Sequence, residues 1–224
     1  MIIAIHQPEY LPWPGLLAKA RRADVLVLLD DVQFNRASLQ HRAKIAAPHA
    51  DFAWLTIPFV HAHPQLIRDV RVANHDWPAY HRTAIRTAYA EAPGFAAAWP
   101  LVDVLLRQGE GCLRVAEMAA ASMGVLFDAF GVRPRVVTST EVGASGNKGD
   151  RVLDLCRRLG ATRYLSGRSG ASYLDREAFA AAGVEIEVLA FPAPQRQDGR
   201  CAVDGLSALD AWMYLGDKTK EALL

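Results

Sequence analysis

Two short runs made only of apolar residues constrain this chain most: Ile2-Ile3-Ala4-Ile5 and Val25-Leu26-Val27-Leu28-Leu29. A strand without polar alternation is one buried on both faces, as in a parallel sheet covered by helices. Between the runs, Leu16, Leu17 and Ala20 fall at helical spacing, with Lys19, Arg21 and Arg22 among them. Strand, helix, strand is a βαβ unit. Each run stops abruptly in polar residues, His6-Gln7 after the first and Asp30-Asp31 after the second, with Gln33 and Asn35 close behind. Ligands of open parallel sheets bind outside the carboxyl ends of the strands. The polar residues are therefore expected on a ligand-binding rim.

Further strands are expected at Phe52 to Phe59, Arg135 to Thr138, Arg163 to Leu165 and Val184 to Leu189, with a half-exposed edge strand at Ile67 to Ala73. Ala37 to Asp51 reads as a polar passage. Helices are expected from Trp77 to about Glu91, Ala96 to Arg107, Leu113 to Phe130, Lys148 to Leu159, Asp175 to Ala182 and Ser207 to Leu215. The expected architecture is one Rossmann-like, doubly wound α/β domain over residues 1–224, mostly parallel, with an all-helical insert at 77–131. The first strand is expected at the centre with the Arg135 strand beside it, which places His6 at the point where the strand order reverses.

The chain's 224 residues suffice for a sizeable core. With 25 basic against 24 acidic residues, it lacks the basic excess of a nucleic-acid or membrane-surface binder. Three cysteines, Cys112, Cys156 and Cys201, with no Cys-x-x-Cys, suggest neither a disulfide framework nor a zinc site. The opening Met1-Ile2-Ile3-Ala4-Ile5-His6 lacks the basic region and cleavage site of a signal peptide, so a cytoplasmic location is expected.

His6, Asp30 and Asp31 are the candidate catalytic residues. His6 suits general acid–base work or a phosphate contact, against a plain role in holding the Pro-rich turn. The two carboxylates suit a base or sugar hydroxyls, against capping of the following turn. Gln7, Gln33, Asn35 and Arg42 carry donors suited to hydroxyls, carboxylates or phosphates, with Arg42 the best anion clamp. Ser166-Gly167 opens a Gly/Ser stretch that could offer backbone N–H groups to an anion, and Lys148 belongs to a second such loop; both also read as plain turns. Tyr10, Trp13 and Tyr173 are rim aromatics, with core packing as the competing reading. Gln197 in the tail completes the substrate-binding candidates. No metal ligands and no cofactor are indicated.

The segments His6-Gln7-Pro8-Glu9-Tyr10-Leu11-Pro12-Trp13-Pro14-Gly15, Asp30-Asp31-Val32-Gln33-Phe34, Trp54-Leu55-Thr56-Ile57-Pro58, Tyr164-Leu165-Ser166-Gly167 and Tyr173-Leu174-Asp175 resemble the WbqC-like family. The resemblance runs through the chain to Leu206-Ser207-Ala208-Leu209-Asp210 and Gly216. It implies an association with bacterial surface-polysaccharide gene sets and some small-molecule pathways. The opening is also similar in fold pattern to pantothenate synthetase and the nucleotidylyltransferases. That group carries a His-x-x-His or His-x-Gly-His pair, whereas here no second His follows His6.

The leading expectation is a biosynthetic transferase acting on a small acyl-, aminoacyl- or sugar-linked metabolite, with phosphorylated, nucleotide-linked and carrier-bound substrates all open. A nucleotidylyltransferase or ligase needing nucleotide and Mg²⁺ is the first alternative, and a non-catalytic small-ligand-binding protein the second. A homo-oligomer is compatible with either. The chain should bind no DNA and need no metal to fold. Chelation by EDTA is expected to leave Tm unchanged; a fall of several degrees would make Asp30-Asp31 a metal site.

Overall fold

The computed structural model describes residues 1–191, 205–216 and 218. Its strands are β1 (Ile2–His6), β2 (Val25–Leu28), β3 (Arg42–Ala47), β4 (Ala50–Thr56), β5 (Arg135–Thr138), β6 (Arg163–Ser166) and β7 (Glu185–Val188). Five of them form one sheet, in the order β5-β2-β1-β6-β7. All four pairings are parallel, with His6 opposite Leu28 and Ala4 opposite Leu165. The helices are α1 (Pro14–Arg21), α2 (Trp77–Tyr89), α3 (Phe95–Gly109), α4 (Val115–Phe130), α5 (Ser139–Val142), α6 (Lys148–Leu159), α7 (Arg168–Ala171), α8 (Arg176–Ala181) and α9 (Ala208–Leu215). This is a Rossmann-like α/β fold.

The chain divides into two compact units. The first comprises Met1–Gln7, Ala18–Asp31 and residues 133–191. One face of its sheet presents Ile3, Ile5, Val25, Val27 and Tyr164 to Val152, Leu155 and Cys156 of α6 and Phe179 of α8. Burying each large apolar side chain contributes roughly 1.5–3 kcal/mol, so this interlock of helix and sheet is the main stabiliser of the unit. Helix α6 ends at Gly160, whose φ of 66° supplies the left-handed cap that a side chain would resist.

The second unit comprises Pro8–Leu17, Val32–Val132 and residues 205–216 and 218. It holds the antiparallel β3–β4 hairpin and the helices α2, α3, α4 and α9. Tyr10 is fully buried there and meets Trp77 edge-on at 5.9 Å. The Leu11 N–H donates to the Ser122 hydroxyl at 2.8 Å, and the Ala208 N–H to the Pro12 carbonyl at 2.7 Å. The Trp13 ring lies so close to Gly15 that an added Cβ would fall 2.0 Å from it, so only glycine fits.

Several expectations are corrected. The Arg135 strand, β5, pairs with β2 at the sheet edge, and β6 takes the place beside β1. The burial explains this: Arg135 and Val136 are exposed, as an edge tolerates, whereas Tyr164, Leu165 and Ser166 are buried. The reversal point therefore lies between β1 and β6. The Phe52 strand belongs to the hairpin and not to the parallel sheet, and its partner β3 arises from the passage read as polar. The Ile67 stretch forms a 3-10 turn, Ile67–Asp69, and then single bridges from Val72 to Phe59 and from Arg71 to Arg114. Parts of the two Gly/Ser loops are short helices, α5 and α7.

His81 on α2 is fully buried. Its Nε2–H donates to the Thr56 carbonyl at 3.2 Å, so Nδ1 accepts from the Tyr10 hydroxyl at 2.9 Å. Burial pushes its pKa from 6.5 down to about 4, against the opposing pull of the Thr56 carbonyl. His41, buried against Phe34 and Phe59, is likewise pushed down to about 4, by burial first and then by the Arg42 and Arg36 charges. Between pH 6.5 and 4 the unfolded chain thus binds protons that the folded chain refuses. Stability is complete above 6.5 and falls as pH drops towards 4, by up to ~3 kcal/mol per histidine. Thermal melts across this range should show the loss, with a shallower slope for His81→Gln; an identical slope would remove His81 from the account.

Candidate functional site

His6 ends the central strand, at the edge where the strand order reverses. By continuation of the β1–β6 register, Ile5 lies beside Ser166 and His6 beside Gly167. The imidazole is half-buried, and its Nδ1–H donates to the Gln7 carbonyl at 2.9 Å. Nε2 is therefore the nitrogen that carries the lone pair. Lys19 of α1 is buried, with its ammonium donating to the Ile5 carbonyl at 2.8 Å and lying 6.0 Å from the Tyr164 ring centroid. Burial, and then the Lys19 charge, push the His6 pKa down to about 4. At neutral pH His6 is an uncharged imidazole in its proton-accepting form.

Asp30 and Asp31 are both engaged. Asp30 is buried, and its Oδ1 accepts from the Thr140 N–H at 3.0 Å, the Thr140 hydroxyl at 2.8 Å and the Ser139 hydroxyl at 2.9 Å. Asp31 is ion-paired with Arg151 of α6. The two carboxylates thereby fasten the end of β2 to α5 and α6. The Asp30 side chain thus bonds α5, more than a hundred residues away, and not the turn that follows it.

Ser166 is fully buried, and its hydroxyl donates to the Gly167 carbonyl at 3.0 Å. Gly167 is the extended residue before α7. A Cβ on Gly170 would stand 2.9 Å from the Ser166 Oγ and 3.8 Å from the Tyr173 hydroxyl, which places those hydroxyls around one glycine. Tyr173 itself is half exposed. Two residues before Ser166 on the same strand, Tyr164 has its ionisation strongly opposed by burial. Lys148 begins α6 as an exposed residue with φ of 47°. In the neighbouring loop, the Ser145 N–H is held by Asp154 at 2.8 Å.

The remaining candidates lie in the second unit. Tyr10 is core, its hydroxyl used by His81. Trp13 packs on Gly15. Gln33 is exposed and donates to His63 Nε2 at 2.9 Å. Asn35 organises a turn, its side chain accepting from the Ala37 N–H at 2.9 Å and its carbonyl from the Ser38 hydroxyl at 2.7 Å. Arg42 donates to the Ala37 carbonyl at 2.7 Å, stands 4.3 Å over the Trp54 ring and keeps its buried Nε without a hydrogen-bond partner. Gln197 lies outside the described residues.

Sequence reasoning passed over Lys19, Ser139, Thr140 and Arg151. Lys19 carried a signal, since it sits inside the unbroken buried stretch Leu16 to Ala20. Among the described residues no cluster of three or more His, Cys, Asp or Glu side chains is arranged to hold a metal ion. Nor is any described helix long and apolar enough to cross a membrane. Asp30→Ala strands the Thr140 N–H and hydroxyl, while the Ser139 hydroxyl keeps Asp31 as acceptor, and is expected to cost roughly 2–4 kcal/mol in urea unfolding. Unchanged stability would mean that Asp30 is not the tie described.

No solved structure matches the chain. It is 27% identical to the uncharacterized protein Rv1507c of Mycobacterium tuberculosis over 181 residues, which are 79% of this chain and 77% of that protein. The model of the WbqC-like protein family matches residues 7–222, which include the Pro-rich opening, the Asp30-Asp31 rim and the Tyr164–Gly167 strand end. With nearly its whole length matched, the chain belongs to the WbqC-like protein family.

Proposed function

We propose that the chain is a biosynthetic transferase that binds a small metabolite at the carboxyl edge of its parallel sheet, with His6 taking a proton from the attacking amine or hydroxyl. Membership of the WbqC-like family suggests the biosynthetic role. The observation that carries the chemistry is His6 itself: a neutral imidazole at the strand-order reversal, with Nδ1–H donating to the Gln7 carbonyl and the lone pair therefore on Nε2. Burial, and then the Lys19 charge, keep the free imidazole uncharged. A substrate anion brought beside Lys19 would offset that charge and make His6 more basic once the substrate is bound. Gln7, Gly167 and Tyr173 border the substrate in this reading. Asp30 and Asp31 keep the edge in shape and take no proton.

The test begins with a thermal-shift screen of acyl thioesters, aminoacyl donors and sugar nucleotides, followed by turnover assays on those that bind. His6→Gln should leave Tm nearly unchanged and lower the rate by about 10²–10⁴, the size expected for a general base. Because protonation removes the base, kcat/KM of the wild type should hold from neutrality downwards and fall only as pH nears about 4. The Gln variant should lack that acid limb. Full activity in His6→Gln would sink the proposal.

A further inference from the structure

Helices α2 and α3 of the second unit border a cleft of about 490 Å³, a size that suits a small metabolite. Six side chains line it: Arg82, Arg86, Trp99, Asp103, Arg107 and Glu110. Helical spacing builds the two walls. Arg82 and Arg86 stand one turn apart on α2, and Trp99, Asp103 and Arg107 repeat at the same interval on α3. The two helices approach closely because Gly109 has no Cβ, which would fall 2.6 Å from the Trp77 ring.

The charges on these walls do not cancel. One Asp103 oxygen accepts from the Arg82 Nε at 2.7 Å, and the other from the Arg107 Nε and Nη2 at 2.9 and 2.7 Å. Glu110 accepts from the Arg82 Nη2 at 3.4 Å. Two carboxylates thus balance two guanidiniums and fix where they point. Arg86 is the third cation. It is exposed, and its guanidinium meets no carboxylate among the described residues. The Trp99 ring holds it, 5.2 Å from the guanidinium carbon, and Phe95 stacks on the same indole. The cleft therefore keeps one positive charge in surplus. It also keeps donors within reach of solvent: the Arg86 fork, and the Nη1 groups of Arg82 and Arg107, whose side chains are 28% and 71% exposed. The geometry points to the phosphate group of a small phosphorylated metabolite as the ligand of this cleft. A phosphate offers three oxygens to three guanidiniums, and its charge takes up the surplus. The cleft has room beyond a phosphate, which falls to the organic part.

Isothermal titration of the full chain with glucose 6-phosphate, inorganic phosphate and glucose, at constant ionic strength, tests this. Glucose 6-phosphate should saturate one site and bind more tightly than phosphate, and glucose should not bind. Equal affinities for the two phosphates would overturn the metabolite and leave free phosphate as the ligand. Arg86→Gln should weaken glucose 6-phosphate by about tenfold, the worth of one charged hydrogen bond. Arg86→Lys should lose nearly as much, because an ammonium lacks the fork. Arg157→Gln, on α6 of the other unit, should change nothing. Melting temperatures report whether each variant is folded, and Arg107→Gln replaces Arg86→Gln should the latter fail to fold. Absence of saturable binding, or unchanged affinity in the folded variant, overturns the inference. The Arg86 variants also separate this cleft from an anion held at the His6 edge, so the outcome leaves that reading untouched.

Discussion

Parallel pairing forces every strand of the five-stranded sheet to be reached by a crossover, and so collects the carboxyl ends of all five on one edge. The chemistry of the first unit follows from that constraint. The interior of each strand is spoken for by packing, as Ile3, Ile5, Val25 and Val27 show. In the buried strands β1, β2 and β6 the middle is apolar, and His6, Asp30 and Ser166 sit at or just past their carboxyl ends. The buried strands β1, β2 and β6 fill the middle of the sheet, with the more exposed β5 and β7 left to the margins.

Burial then decides what each polar group at the edge can do. Asp30, taken out of water, is met by three donors from Ser139 and Thr140, which compensate its lost hydration. His6 meets the same penalty differently. It gives up its charge, helped by the Lys19 ammonium that shares its surroundings. Two neighbouring strand ends thus reach opposite solutions, a paired carboxylate on one and a neutral imidazole on the other. The first is a fastening. The second leaves a nitrogen lone pair in a form that can accept a proton at neutral pH, which is the property a transfer reaction needs.

The strands of the parallel sheet were legible because an all-apolar run of four or five residues has few other homes. Helix α6 was legible for a similar reason, since its buried Val152, Leu153, Leu155 and Cys156 repeat at helical spacing and Gly160 marks its end. What escaped was structure whose signal depends on a partner far along the chain. The alternation Arg42-Ala43-Lys44-Ile45 is a strand pattern, but its charged half disguised it as loop until β4 supplied the rings that cover those charges. The alternation from Ile67 to Ala73 is as regular and yields only isolated bridges, because its backbone bonds are divided between the 58–60 and 113–115 segments. Helix α5 had its local signal in Thr138 and Glu141, which form a capping box. The position of His6, Asp30 and Ser166 at strand ends was legible, whereas Gln33, Asn35 and Arg42 belong to the other unit, and the partners of none could be read. Nothing in Asp30-Asp31 announces Ser139, Thr140 and Arg151 more than a hundred residues later.

The same reasoning separates two kinds of information in the Pro-rich opening. His6 and Gln7 belong to the sheet unit and Pro8 to Leu17 to the other, so one motif serves two folding tasks. Beyond Gln7 its residues are spent on packing. Tyr10 has its hydroxyl fixed by His81, Leu11 is held by Ser122 at a φ of 44°, and Gly15 exists where the Trp13 ring leaves no room for a Cβ. A distinctive run of aromatics, prolines and glycine can therefore mark a family without touching a substrate. In the proposed reaction its chemical content lies in the imidazole at its start, at the end of β1 and before the packed segment begins.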